Sequence, residues 1–145
     1  MKTVLLLALL LLGAGYTYAQ DRTKLNLYDL KAQGAIQLTK KELQALLPNA
    51  KVKSMSGAGS TRYWENSLDG KFVASSDVRG QVASRSSQAH GNWSIADNGT
   101  YCVLLEWKTS TEQWCRYIFR ADDKYFGVKS IVDDASRVYE FSFSR

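Results

Sequence analysis

Two stretches of this chain, Tyr101–Trp107 and Gln113–Arg120, limit its fold more than any other feature, because each is apolar on both faces. Paired as strands about a turn between Lys108 and Thr109, they put Cys102, Leu104, Cys115, Tyr117 and Phe119 on one side. Tyr101, Val103, Leu105, Trp107, Trp114 and Ile118 fall on the other. Side chains alternate across a strand, and a sheet that is apolar on both faces must be covered on both. A curled sheet or small barrel meets that demand, with its interior on one face and the two helices that precede the strands over part of the outer one.

The same register pairs the cysteines. Cys102 and Cys115 are symmetric about the turn, and directly opposed strand residues lie about 4.5 to 5.5 Å apart at Cα, within a disulfide's range. An even cysteine count in an exported chain reads as a disulfide. Closing a loop of roughly 14 residues contributes on the order of 3 kcal/mol in the chain-entropy account. A metal site would need further Cys or His ligands, and the only histidine is His90. Neither a metal nor a cofactor is expected.

Export is read from the start of the chain. Lys2 precedes the apolar run Val4 to Leu12 and the small-residue ending Tyr16-Thr17-Tyr18-Ala19, the pattern of a signal peptide. The run is shorter than the roughly 20 residues a membrane-spanning helix needs. Residues 1–19 are therefore expected to be a leader cut after Ala19, and 20–145 one exported domain that does not span a membrane. The leader takes Lys2 with it, so the net charge falls from +5 to +4. Those charges form no cluster beyond Lys40-Lys41 and Lys51-Val52-Lys53. Nucleic-acid binding calls for a basic stripe, so it is not expected; a monomer in the periplasm or secreted is.

Two short helices are expected first. Asn26 caps a segment ended by Gly34, and Thr39 with Glu42 forms a capping box, stapled by Leu38 and Leu43, for a helix that Pro48 stops. From Val52 onward short alternating segments recur with turn residues about every 8 to 12 residues, the sign of a β sandwich or barrel. Strands are expected near Ser60–Glu65, Lys71–Asp77, Gln81–Arg85, Gly91–Ala96, Tyr101–Trp107, Gln113–Arg120, Tyr125–Ser130 and Val138–Ser144. Turns are expected at Leu68-Asp69-Gly70 and Asp97-Asn98-Gly99. The fold class is α+β, mainly β: two short N-terminal helices, then an antiparallel meander curled into a small barrel.

Several segments carry a family likeness: Leu38-Thr39-Lys40-Lys41-Glu42-Leu43-Gln44-Ala45-Leu46-Leu47, Gly91-Asn92-Trp93-Ser94, Tyr101-Cys102 and Trp114-Cys115-Arg116-Tyr117. With these the chain resembles the small exported proteobacterial proteins known as domain of unknown function nine-nine-five. The resemblance implies a Gram-negative exported β domain and carries no activity with it. Gly91-Asn92-Trp93 is also similar to the Gly-x-Trp of lipocalins, where that motif sits on the first strand. Its place in mid-chain here supports a shape rather than an ancestry.

Catalytic signatures are thin. His90 follows the polar stretch Ser86-Ser87-Gln88-Ala89, with no Gly-x-Ser-x-Gly elbow anywhere. Asp122-Asp123 and Asp133-Asp134 lack calcium-loop spacing and read as solvated turns. Ser54 to Ser60 is Gly-rich without the Lys-Ser or Lys-Thr of a phosphate loop. Asn92-Trp93-Ser94 and Asn98-Gly99-Thr100 have only the form of glycosylation acceptors. No enzyme is expected.

The aromatic residues, interleaved with arginine, are the feature open to function. Arg62 shares a strand face with Trp64, and Arg116 with Trp114. Arg and aromatic side chains are enriched where proteins bind partners, whereas a small barrel also uses aromatics as core filling with Arg stacked over them. Taken as a site, the four form an exposed surface binding a small apolar or sugar-like ligand or an envelope protein. The leading expectation is a non-enzymatic binding protein of the bacterial envelope; the alternative is a secreted inhibitor of an extracellular enzyme.

Overall fold

The structure is a computed structural model that describes residues 24–56, 59–77 and 87–145. The leader and the strand expected at Gln81–Arg85 lie outside the described residues. Nine strands follow in chain order: β1 (Ile36–Gln37), β2 (Lys51–Met55), β3 (Thr61–Glu65), β4 (Lys71–Ser76), β5 (Ser87–Ile95), β6 (Tyr101–Trp107), β7 (Thr111–Ala121), β8 (Lys124–Val128) and β9 (Val138–Ser144). From β2 to β9 each strand pairs antiparallel with the next, and β9 returns to β2 with Val52 opposite Phe143. The meander is thus a closed up-and-down barrel of eight strands, a closure that removes the sheet's free edges. β1 lies outside the ring and extends it at β7, with Ile36 opposite Arg120.

The register sorts every strand into an inner and an outer face. Val52, Trp64, Phe72, Ala74, Ala89, Tyr101, Val103, Leu105, Ile118 and Phe141 point inward and form one buried cluster. The ring alternates large and small side chains: a Cβ on Gly91 would stand 2.1 Å from the Phe72 ring, so Phe72 fills the space a side chain there would take. Cys102 and Cys115 are direct partners on β6 and β7, disulfide-bonded on the outer face with Cα atoms 4.0 Å apart.

The helices are short, and their caps explain their bounds. In α1 (Leu27–Ala32) the Asn26 side chain accepts from the Asp29 N–H while the Asp29 carboxylate accepts from the Asn26 N–H. In α2 (Lys40–Leu46) Thr39 and Glu42 form the same reciprocal box. The helices go to different places. Leu27 and Leu30 of α1 pack on the outer face of the barrel with Phe119, Phe126 and Val128. Leu43, and Leu47 just past the end of α2, join the interior cluster, so α2 floors the end of the barrel where β2 begins. Arg145 fastens that floor, donating to the Pro48 and Ala45 carbonyls at 2.7 and 2.8 Å. The expectation that both helices cover the outer sheet therefore holds for α1 only.

Under the floor lies a buried polar knot. Asn66 is fully buried; its amide nitrogen donates to the Leu47 carbonyl at 3.1 Å, and its side-chain oxygen accepts from Trp64 Nε1 at 3.0 Å and the Tyr101 hydroxyl at 2.9 Å. Burial holds the Tyr101 phenol well above its ordinary value of 10.0, against the pull of its hydrogen bonds to Trp64 and Asn66.

Candidate functional site at the open end of the barrel

The strand directions put the β6–β7 and β8–β9 turns, the last residues of β2 and β4 and the first of β3 and β5 at the end opposite α2, the open end, since among the described residues no helix closes it. Here the inward positions change character: Ser54, Arg62, Ser76, Trp107, Glu112, Arg116 and Tyr139, three of them charged, replace the apolar residues of the middle. The Arg62 guanidinium meets the Glu112 carboxylate through two hydrogen bonds, at 2.5 and 2.6 Å. β3 and β7 are four strands apart in a ring of eight, so this bidentate pair crosses the lumen as a strut. Bidentate geometry fixes direction as well as contributing energy.

The strut divides the open end in two. On one side an inner cavity of about 200 Å³ is bounded by Ser54, Trp64, Trp114, Arg116 and Tyr139. On the other an outer bowl of about 470 Å³ is bounded by Ser76, Ser87, Trp107 and the β6–β7 turn. Arg62 and Glu112 belong to both walls. A third hollow of about 400 Å³ runs along β2 and β9 beside Lys24 and Leu25, and so adjoins residues outside the description.

Arg116 is held by rings rather than by carboxylates. Its guanidinium carbon stands 3.6 Å from the Tyr139 ring centroid, 4.3 Å from Trp114 and 5.7 Å from Phe141. Space for it is made at Gly127, where a Cβ would lie 3.0 Å from the Arg116 Cδ and 2.7 Å from the Phe141 ring. Desolvation, reinforced by the like charges of Arg62 and Arg137 and opposed by Tyr139 and Glu112, lowers this group from its ordinary 12.5 to about 10. At neutral pH it remains a cation. Arg62 stacks over Trp107 at 5.2 Å, and among the described residues Arg62 Nε and Trp107 Nε1 are buried without an acceptor.

The four sequence-expected residues all point into the barrel, so the exposed surface of paired Arg and Trp is corrected. Arg116 does stack on Trp114, whereas Arg62 stacks on Trp107 instead of Trp64. Trp64 is a core residue, 5% exposed and stacked on Phe72. Outward from the barrel, His90 lies exposed on β5, and the Asp122-Asp123 pair occupies an exposed turn. Asp134 is held by Lys31 at 2.6 Å. Among the described residues no group of three or more His, Cys, Asp or Glu is placed to hold a metal ion, and no helix is long and apolar enough to cross a membrane.

Sequence reasoning missed Ser54, Trp107, Glu112 and Tyr139 as site residues. The signal for three of them was alternation: Glu112 continues the face of Trp114 and Arg116, Trp107 that of Leu105, and Tyr139 that of Phe141 and Phe143. Glu112 escaped because its strand starts at Thr111, two residues before the expected Gln113.

A helix-floored, closed meander with a charged and aromatic open end places this protein among the small β-barrels whose interior is either filled by side chains or holds one small ligand. The chain belongs to the family described as Protein of unknown function (DUF995), which matches residues 9–116. No curated protein and no solved structure matches it.

Proposed function

We propose that the protein is an exported, non-enzymatic binding protein of the bacterial envelope that takes a small ligand into the open end of its barrel. One observation carries the reading: among the described residues the inward face carries charged side chains at one end only, around two hollows of about 200 and 470 Å³ that share a single ion pair as their partition. Packing alone would not favour placing two guanidiniums and a carboxylate there, since removing charges from water is costly. Drug-sized ligands occupy pockets of about 300 to 1,000 Å³, so the inner cavity takes a compact molecule or one end of a longer one. The disulfide supports an oxidising compartment.

The test is native mass spectrometry of protein recovered from the envelope, for wild type and for Ser54→Phe, which fills the inner cavity. The expected result is a mature chain beginning at Gln20 that carries a small molecule in wild type and loses it in the filled variant. Tyr63→Ala, on the outer face of β3, should retain it. Ligand-free wild-type protein that also binds no member of a small-molecule panel would overturn the reading.

A further inference from the structure

We infer that the inner cavity is a carboxylate site, with the Arg116 guanidinium receiving the anionic end of a small monoanionic ligand. This inference rests on the small-ligand reading above and names the ligand's chemistry.

Charge is the first argument. Glu112 neutralises Arg62 across the lumen, and among the described residues no carboxylate lies within ion-pair distance of Arg116. Of the charges that line the cavity, Arg116 is therefore the one left unneutralised, and Arg137, stacked over the Tyr139 ring, adds a like charge beside it. Hydrogen bonding is the second. A guanidinium has five N–H donors, and the rings of Trp114, Tyr139 and Phe141 meet its charge through their faces without supplying an oxygen acceptor. Among the described residues no oxygen acceptor is hydrogen-bonded to those donors, and they are not among the polar atoms shut away from water. A carboxylate entering the cavity takes the place of that water, and its two oxygens match the planar fork of the guanidinium.

The walls decide the rest of the ligand. Trp114 and Tyr139 flank the cation, so a flat or apolar body is favoured behind the charge. A phosphate dianion would meet the Glu112 carboxylate nearby with two charges where a carboxylate brings one. That repulsion and the volume of about 200 Å³ favour a short or aromatic monocarboxylate.

The experiment titrates the disulfide-intact chain with sodium benzoate, with benzamide as the uncharged isostere and with inorganic phosphate. Wild type should bind benzoate more tightly than benzamide by roughly tenfold or more, the worth of one charged hydrogen-bonded contact. Arg116→Gln should remove that preference while leaving benzamide unchanged. Glu112→Gln removes the nearest negative charge and should tighten benzoate binding, which keeps the test decisive if Arg116→Gln fails to fold. Equal benzoate and benzamide affinity in wild type, preferred binding of phosphate, or no gain in Glu112→Gln would overturn the carboxylate assignment. In those outcomes the small-ligand reading stands or falls separately, on the cavity-filling variant.

Discussion

Replacing Asn66 by alanine should cost roughly 2 to 4 kcal/mol of folding stability, the sum of about three neutral hydrogen bonds at about 0.5 to 1.5 kcal/mol each. The side chain makes three contacts, to Leu47, Trp64 and Tyr101, at 2.9 to 3.1 Å, with no solvent to replace them. The loss is unevenly shared. Trp64 Nε1 keeps the Tyr101 hydroxyl as an acceptor at 3.1 Å, whereas the Leu47 carbonyl is left without its side-chain donor. Tyr101→Phe removes the hydroxyl that both donates to Asn66 and accepts from Trp64 Nε1, and should cost about 1 kcal/mol, because Trp64 keeps the Asn66 oxygen. The assay is equilibrium urea unfolding with the disulfide intact, requiring equal m-values across the set. A cost below about 1 kcal/mol for Asn66→Ala would refute the account of a hydrogen-bonded knot joining the floor to the barrel.

Three further outcomes are expected. Cys102→Ser with Cys115→Ser should lower stability by about 2 to 4 kcal/mol without loss of strand content by circular dichroism; free thiols in exported protein would remove the clip. Leu43→Asp should unfold or strongly destabilise the protein by burying a charge in the floor, while the exposed Lys41→Ala changes little; equal tolerance in thermal melts would mean that α2 does not seal the barrel. Backbone and side-chain hydrogen bonds from Thr39 hold the Glu42 carboxylate below its ordinary 4.5. The stability it adds is present above that value and is lost as pH falls through the depressed one. The gap between wild type and Glu42→Ala in melts should therefore narrow from neutral to strongly acidic pH, and a constant gap would contradict the capping box.

What the sequence revealed depended on whether a signal was local. The β6–β7 hairpin was legible because two cysteines fixed its register and two apolar faces required cover. The Thr39–Glu42 capping box was legible because it is written in four residues; at Asn26 only the cap was read, and the structure adds Asp29 as its reciprocal partner. β2 was missed because Lys51 and Lys53 read as a charge cluster, although they are only the outer face of a strand whose inner face is Val52 and Ser54. β1, two residues long, has no pattern at all. At the site, the period of two grouped Arg62 with Trp64 and Arg116 with Trp114, but which face is inward is set by closure of the whole ring. The strut between Arg62 and Glu112 spans 50 positions of sequence, and nothing near either residue announces the other. Asn66 was invisible for the opposite reason: a polar residue beside a Ser-Leu-Asp-Gly turn reads as solvated loop, yet it is the most buried polar group in the core.

The pairing of β2 with β9 has a consequence for how the molecule is made. Lys51 lies opposite Ser144, so the first strand of the ring waits for the last, and the entropic toll of that long loop is met only after the intervening hairpins have formed. Until then β2 and β8 present two bare hydrogen-bonding rims, templates for joining neighbouring chains edge to edge. Residues Val138–Ser144 act as a zip: a chain shortened by that one strand would keep the hairpins from β2 to β8 and its disulfide, and yet be prone to polymerise.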